Sequence, residues 1–439
     1  MNDRAIRRVH PEGVPPVRRR ELVAWACYDF ANSGYTTVVI TAIFNAYFVS
    51  VIANKAPWAT FAWTCALSVS YAIVMLAAPL LGAWADLRAR KKRLLAASTV
   101  VCIAGTAALA LCGPGDVWLA MVLVVVSNIG FGAGENLIAA FLPELATPQS
   151  MGRLSGYGWG LGYVGGLLVL AISLWWIQGA PGRGEETAQA VRDSMLITAV
   201  AFALTAGPAL ATLRERARAQ VADGAAIAAL AWSRVRGALG GAHGLVDLTR
   251  FLWCIVCYQA GVGTVITIAA IYTQEALGFT TAQSIQLIMV VNITAAIGAV
   301  TFGFLQDKLG HRLTLALSLV LWLVALGLLW ASSERSIVWL AANLAGLSLG
   351  ASQSAGRALV GYLCPEAREA EIFGLWGLAV KLSMIVGPLS YGAISWLTHG
   401  DHRSAMLATA VFFIGGLLLL ARVDVARGHR VAQAAAVTA

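Results

Sequence analysis

Twelve runs of mostly apolar residues divide the chain, beginning near residues 22, 61, 94, 117, 154, 194, 246, 283, 311, 336, 372 and 404. A helix needs about 20 such residues to cross a bilayer, so the pattern predicts twelve spanning helices. Short polar segments separate the runs, and a longer one between residues 214 and 245 parts them into two sets of six. The expected organisation is a tail over 1–21, a six-helix bundle over 22–213, a connector over 214–245, a second bundle over 246–421 and a tail over 422–439. In the connector, Ile227, Leu230, Trp232 and Val235 beside Arg234 and Arg236 have the spacing of a short amphipathic helix on a membrane surface. A plain flexible linker is the other reading.

The two sets repeat one another. Gly82-Ala-Trp-Ala-Asp86, followed by Arg88, Arg90, Lys91, Lys92 and Arg93, returns as Gly303-Phe-Leu-Gln-Asp307, followed by Lys308, Gly310 and Arg312. Pro143-Glu144 returns as Pro365-Glu366, and Trp159-Gly160-Leu161 as Trp376-Gly377-Leu378. A parallel repeat with the same charged loop at the same place in each half is the outline of a two-lobed transporter. In each loop the Asp could accept hydrogen bonds from a neighbouring helix N-terminus, in its own lobe or across lobes. The basic residues that follow are expected to hold the inner membrane surface.

Composition places the chain in a bilayer, because 59% hydrophobic and 12% charged residues cannot give a water-soluble surface. With the N-terminus inside, 24 of the 31 Lys and Arg fall on the cytoplasmic side, so both termini are expected there. The net charge of +9 then faces anionic lipid and needs no nucleic acid. Asp29 and Asn32 in the first run argue for a retained helix over a cleaved signal. Seven scattered cysteines and six histidines in tails, loops or helix ends form no metal, disulfide or nucleophile pattern. No phosphate-binding loop is present either. The expectation is neither an enzyme nor a cofactor protein.

Ionisable groups within a membrane are costly and therefore candidates for function. Asp29, Asn32, Ser33 and Thr36 share one face of the first run. Asn128, Gly132 and Glu135, next to Asn136, do the same in the fourth, and Asn343, Gly346, Gly350, Gln353 and Arg357 in the tenth. The seventh adds Gln259, Gly263 and Thr267. These runs hold equivalent places in the repeat, so their polar faces are expected to line one central cavity. Adding the repeat offset to Glu135 gives Arg357, which sets the two opposite each other as a gate or a fixed bridge. Lys381, deep in the eleventh run, needs a partner: Asp29, Glu135, an anionic group of a solute, or loss of its own proton. Tyr35, Trp159 and Trp376 are the expected aromatic walls.

The charged loops resemble the signature loop of the major facilitator superfamily, Gly-x-x-x-Asp-Arg/Lys-x-Gly-x-Arg/Lys. The second copy fits better; the first has Leu87 and Ala89 in the basic and glycine slots. Within the superfamily, Tyr28-Asp-Phe-Ala-Asn-Ser33, Phe141-Leu-Pro-Glu-Leu145, Gly156-Tyr-Gly-Trp-Gly-Leu-Gly-Tyr-Val-Gly-Gly166, Ser352-Gln-Ser354 with Arg357, and Arg368-Glu-Ala-Glu371 through Lys381 to Gly387-Pro388 resemble the fungal autophagy-related vacuolar amino-acid effluxers and their bacterial relatives. The resemblance implies an all-α twelve-helix fold, alternating access and, for the fungal branch, export of neutral amino acids. The expectation is a monomeric secondary transporter of the cell membrane that exports an amino acid or similar small solute. Proton coupling is expected through Asp29 or Glu135. A lipid or drug effluxer and a non-transporting membrane sensor are the rival readings.

Overall fold

The computed structural model describes residues 15–217, 219–220, 227–239, 245–275, 277–399 and 401–437. The expected runs form twelve long helices: α1 Arg19–Ile52, α2 Ala59–Arg88, α3 Lys91–Leu111, α4 Val117–Ala139, α5 Met151–Gln178 and α6 Thr187–Thr212 in the first lobe. In the second lobe they are α7 Val246–Glu275, α8 Thr281–Leu309, α9 His311–Ala331, α10 Arg335–Leu363, α11 Glu369–Leu397 and α12 His402–Ala421. Eleven of them carry a stretch long and apolar enough to cross a membrane. The other is α10, whose polar stripe lowers its hydropathy and whose side chains are mostly enclosed by neighbouring helices. Leu76, Leu204, Val411 and Leu418 stand exposed on the outside of the bundle, as lipid-facing side chains should.

Beyond Tyr35, α1 widens into π-type turns over Thr36–Ala42 and again over Phe48–Ile52. The Thr36 hydroxyl donates to the Asn32 and Ser33 carbonyls at 3.2 Å, competing with the backbone ladder where a β-branched run begins. The polar face of α1 thus ends at a change of helical pitch.

One end of the bundle, here the loop face, carries both ends of the described chain, the connector and both signature loops. There Arg216 of the connector pairs with Glu21 at 2.8 Å, and Glu215 accepts from the Lys92 backbone N–H at 2.7 Å. Gln220 donates through its backbone to the Leu87 carbonyl and through its side chain to the Ala367 carbonyl, both at 2.9 Å. The connector helix Ile227–Leu239 packs on α2, with Ala231 and Val235 buried and Trp232 exposed. Of the residues expected to make it amphipathic, the Ile227 and Arg234 side chains lie outside the described set. A terminal helix, Val425–Val437, docks through Arg427, which bonds both carboxylate oxygens of Asp247 at 2.7 Å.

The lobes meet along two helix pairs, α2 with α11 and α5 with α8. Glycine permits the approach. A Cβ on Gly82 would run into the Ala370 carbonyl, and one on Gly374 would meet the Ala78 carbonyl at 2.5 Å. On the other pair, Gly152 and Gly156 face Gly303 and Ala299, and Gly160 faces Val300. The glycines of α5 thus form two stripes, because Gly158, Gly162, Gly165 and Gly166 turn instead to α1.

Candidate functional site

Both signature aspartates bond across the lobes. Asp86, at the end of α2, accepts from the Ala370 and Glu371 backbone N–H groups at 3.1 and 2.8 Å, capping the N-terminus of α11. Asp307, at the end of α8, accepts from the Gly152 N–H at 3.0 Å and pairs with Arg153 at 2.5 Å, at the N-terminus of α5. A carboxylate facing unsatisfied helix N–H groups is favoured by those bonds and by the helix dipole. Arg90 is half-buried, Lys308 is exposed, and Arg312, also exposed, donates to the Ala421 carbonyl at 2.9 Å.

Lys91 corrects one expectation: it does not hold the membrane surface. It is fully buried, in ion pairs with Glu144 of its own lobe and, at 3.4 Å, with Glu369 of the other. Five basic residues within six positions read as a solvated surface; the second lobe closing over the loop buries one of them.

Deeper in the bundle lie two further ion pairs, each joining an acid of the first lobe to a base of the second. Arg357 on α10 pairs with Asp29 on α1, Nη1 to Oδ2 2.7 Å. Its Nε donates to the Ser155 hydroxyl at 3.1 Å and its Nη2 to the Ser155 carbonyl at 2.9 Å, both on α5. The guanidinium lies 4.8 Å from the Trp25 ring and 5.3 Å from the half-buried Trp159 ring. Gly158 makes room for it, since a Cβ there would meet Arg357 Nη2 at 2.6 Å.

Lys381 on α11 pairs with Glu135 on α4 at 3.3 Å. Its ammonium lies 5.2 Å from the Tyr71 ring and 5.5 Å from the Phe131 ring, a cation–π arrangement on both sides. Asn128 donates to the Ser70 hydroxyl at 2.6 Å behind this pair. Asp29 lies within electrostatic reach of Glu135, so the four charges form one cluster. The pairs differ in access. The Glu135 and Lys381 side chains are 24% and 10% exposed, against 11% and 3% for Asp29 and Arg357.

The expected pairing of Glu135 with Arg357 is therefore corrected to a crosswise one. The repeat relates α4 to α10, and related helices need not touch: α4 reaches α11 while α10 reaches α1 and α5. Tyr35 is likewise corrected from an open wall to a packing residue, fully buried, stacked on Phe131 and bonded to Ser127 at 2.9 Å. Trp376 is buried edge-on against Phe373. Ser33 fits the notch at Gly162, Asn32 is nearly buried beside it in sequence, and Gln259 donates to Gln353 at 2.6 Å within the second lobe. Tyr71, Ser155, Trp25 and Gly158 escape a search for membrane charges; only their place beside the charged residues marks them.

A family model described as "Vacuole effluxer Atg22 like" matches residues 58–433. An uncharacterized MFS-type transporter, YxiO of Bacillus subtilis (strain 168), is 26% identical over 404 residues, covering 91% of this chain and 93% of that protein. Autophagy-related protein 22 of Kluyveromyces lactis is 27% identical over 221 residues, 46% of this chain and 43% of that one, so the chain spans under half of that relative's length. Among solved structures, the human organic anion transporter MFSD10 superposes with a TM-score of 0.72 at 15% identity, covering 92% of this chain and all of that one. The proton:xylose symporter XylE gives 0.70 at 16% identity, covering 92% and 95%. These two establish the fold, and with the family match the chain belongs to the Atg22-like effluxer family of major facilitator transporters.

Proposed function

We propose that this transporter exports a small zwitterion, an amino acid or close relative, across the cell membrane by alternating access, with its termini and loop face in the cytoplasm. The observation that carries this reading is the pair of crosswise ion bridges between the lobes, in which Glu135 is the most exposed of the four charged side chains and Arg357 the least. A zwitterion matches the more exposed bridge: its ammonium can take Glu135 and its carboxylate Lys381, each replacing the partner it separates. The Tyr71 and Phe131 rings flanking Lys381 offer an apolar surface to a side chain.

Arg357 has a different part. Held by Asp29 and twice by Ser155, it is a lock between lobes, beneath the solute and above the Asp86 and Asp307 caps. Opening toward the cytoplasm breaks these tiers together; closing the far side then depends on the solute. Proton coupling fits the same cluster, because a proton on Glu135 or Asp29 frees its basic partner.

The test is counterflow in proteoliposomes loaded with a panel of amino acids and other metabolites, with and without a pH gradient. Saturable exchange of zwitterions is the expected result. Transport confined to lipids, or none of any solute under any gradient, overturns the reading.

A further inference from the structure

Asn136 is 4% exposed, and among the described residues neither its Oδ1 nor its Nδ2 has a hydrogen-bond partner. It follows Glu135 on α4 and points at Gly377 of the opposite lobe, where an added Cβ would meet Asn136 Cγ at 2.5 Å. Nothing else fits between them. A buried carboxamide without partners costs free energy that the same group in water does not, and here the second lobe is what buries it.

The repeat sharpens the oddity. Gly160 holds the place in α5 that Gly377 holds in α11, and Gly160 faces the apolar Val300 across its seam. The residue of the second half that corresponds to Asn136 is Ala358, which is fully buried. At the repeat-related position, Ala358, an apolar side chain suffices for packing. The amide is therefore not required to hold the lobes together, and its desolvation works against the contacts around it.

We propose that Asn136 is a positioning residue that opposes closure of the loop-face seam. It offsets part of the attraction of the Asp86, Asp307, Lys91 and Arg357 contacts, so that the closed arrangement is not a trap. The inference rests on the alternating-access reading above, and it gives Asn136 a part in the balance of states rather than in holding the solute. Removing the amide makes the closed form more stable, which is the opposite of what loss of an ordinary packing or binding residue does.

Cys364 offers a native reporter. It is buried at the loop face in a crevice lined by Pro143 and Met151 of the first lobe and by Glu369 of the second. Burial, then the nearby Glu369 and Asp86, hold its thiol well above the usual range, so it reacts slowly until the seam opens. With Cys27, Cys65, Cys102, Cys112, Cys254 and Cys257 replaced by serine or alanine, the rate of maleimide labelling in lipid nanodiscs, without solute, reads the open fraction.

Asn136→Ala and Asn136→Leu are expected to slow labelling about fivefold or more, the size of one unsatisfied buried polar group. Gly377→Ala, which pushes a methyl into the amide, is expected to speed it, and the double variant Asn136→Ala with Gly377→Ala to fall back toward the parent. Unchanged or faster labelling in both Asn136 variants overturns the proposal. Asp307→Ala, which removes a contact across the same seam, is the independent control: no labelling above background in the parent and in this variant means that the seam does not open at all, and the alternating-access reading falls with it.

Discussion

Arg357 and Asp29 meet 2.7 Å apart between the two lobes, and the guanidinium is held from a third side by Ser155. Few groups but guanidinium can serve all three acceptors, because its donors point along fixed, divergent directions whereas an ammonium is a compact point charge. Arg357→Lys is expected to keep the charge pair and lose the bonds to Ser155, lowering transport about tenfold or more at equal membrane expression. Asp29→Asn is expected to do more damage, since breaking one side of a buried pair costs about 3–5 kcal/mol. Initial rates in proteoliposomes, normalised to inserted protein, decide it. Wild-type turnover in both variants would remove the pair from the mechanism.

The bridge between Glu135 and Lys381 makes a chemical prediction about the solute. If ammonium and carboxylate each replace one partner, both must be present and ionised. Amino acids blocked as N-acetyl derivatives or as amides are expected not to compete in counterflow even at a large excess, while free amino acids do. Glu135→Gln and Lys381→Met are each expected to abolish exchange while the protein still inserts. Equal competition by blocked and free forms would rule out recognition of a zwitterion at this bridge.

Much of this arrangement was legible in the sequence because membrane burial makes charge conspicuous. Asp29, Glu135, Arg357 and Lys381 stand out from their apolar surroundings, and the structure gathers all four into one cluster. The partners were not legible. A repeat offset gives equivalence under rotation, and equivalent residues on α4 and α10 look toward different helices of the opposite lobe. The symmetry survives in another form: Glu135 reaches α11 as Arg357 reaches α5, and α5 and α11 are themselves repeat mates. Lys91 was hidden for a different reason, since its burial depends on Glu369, far along the chain.

Lys91 binds two carboxylates that the closed seam keeps from water. Lys91→Met would leave Glu144 and Glu369 close together without a cation, and such uncompensated buried charge costs about 3–5 kcal/mol. The expected result is a lower melting temperature and a seam that opens more readily. Adding Glu144→Gln and Glu369→Gln removes the uncompensated charges and is expected to restore most of the stability, since replacing a buried ion cluster as a whole is often nearly neutral. Scanning fluorimetry of the single and triple variants is the measurement. A triple variant no more stable than Lys91→Met would show that packing, and not charge, sets the loss.

The two signature loops differ at one backbone position, and the difference yields the last prediction. Gly310 has φ 87° and ψ 159°, a region essentially closed to residues with a Cβ. Ala89, in the equivalent slot, has φ 51° and ψ 51°, the left-handed helical well that other residues enter at a cost of about 1–2 kcal/mol. The first loop can therefore dispense with glycine while the second cannot. Ala89→Gly relieves the left-handed strain but loosens the unfolded chain, so its net gain is expected to be at most about 1 kcal/mol. Gly310→Ala is expected to destabilise by about 1–3 kcal/mol and to disturb Asp307, which lies three residues before it at the α5 cap. Melting temperatures of both variants, read with the Cys364 labelling rate, test the asymmetry directly. A clear loss of stability in Ala89→Gly together with a neutral Gly310→Ala would mean that the backbone conformations of the two loops are not what separates their sequences.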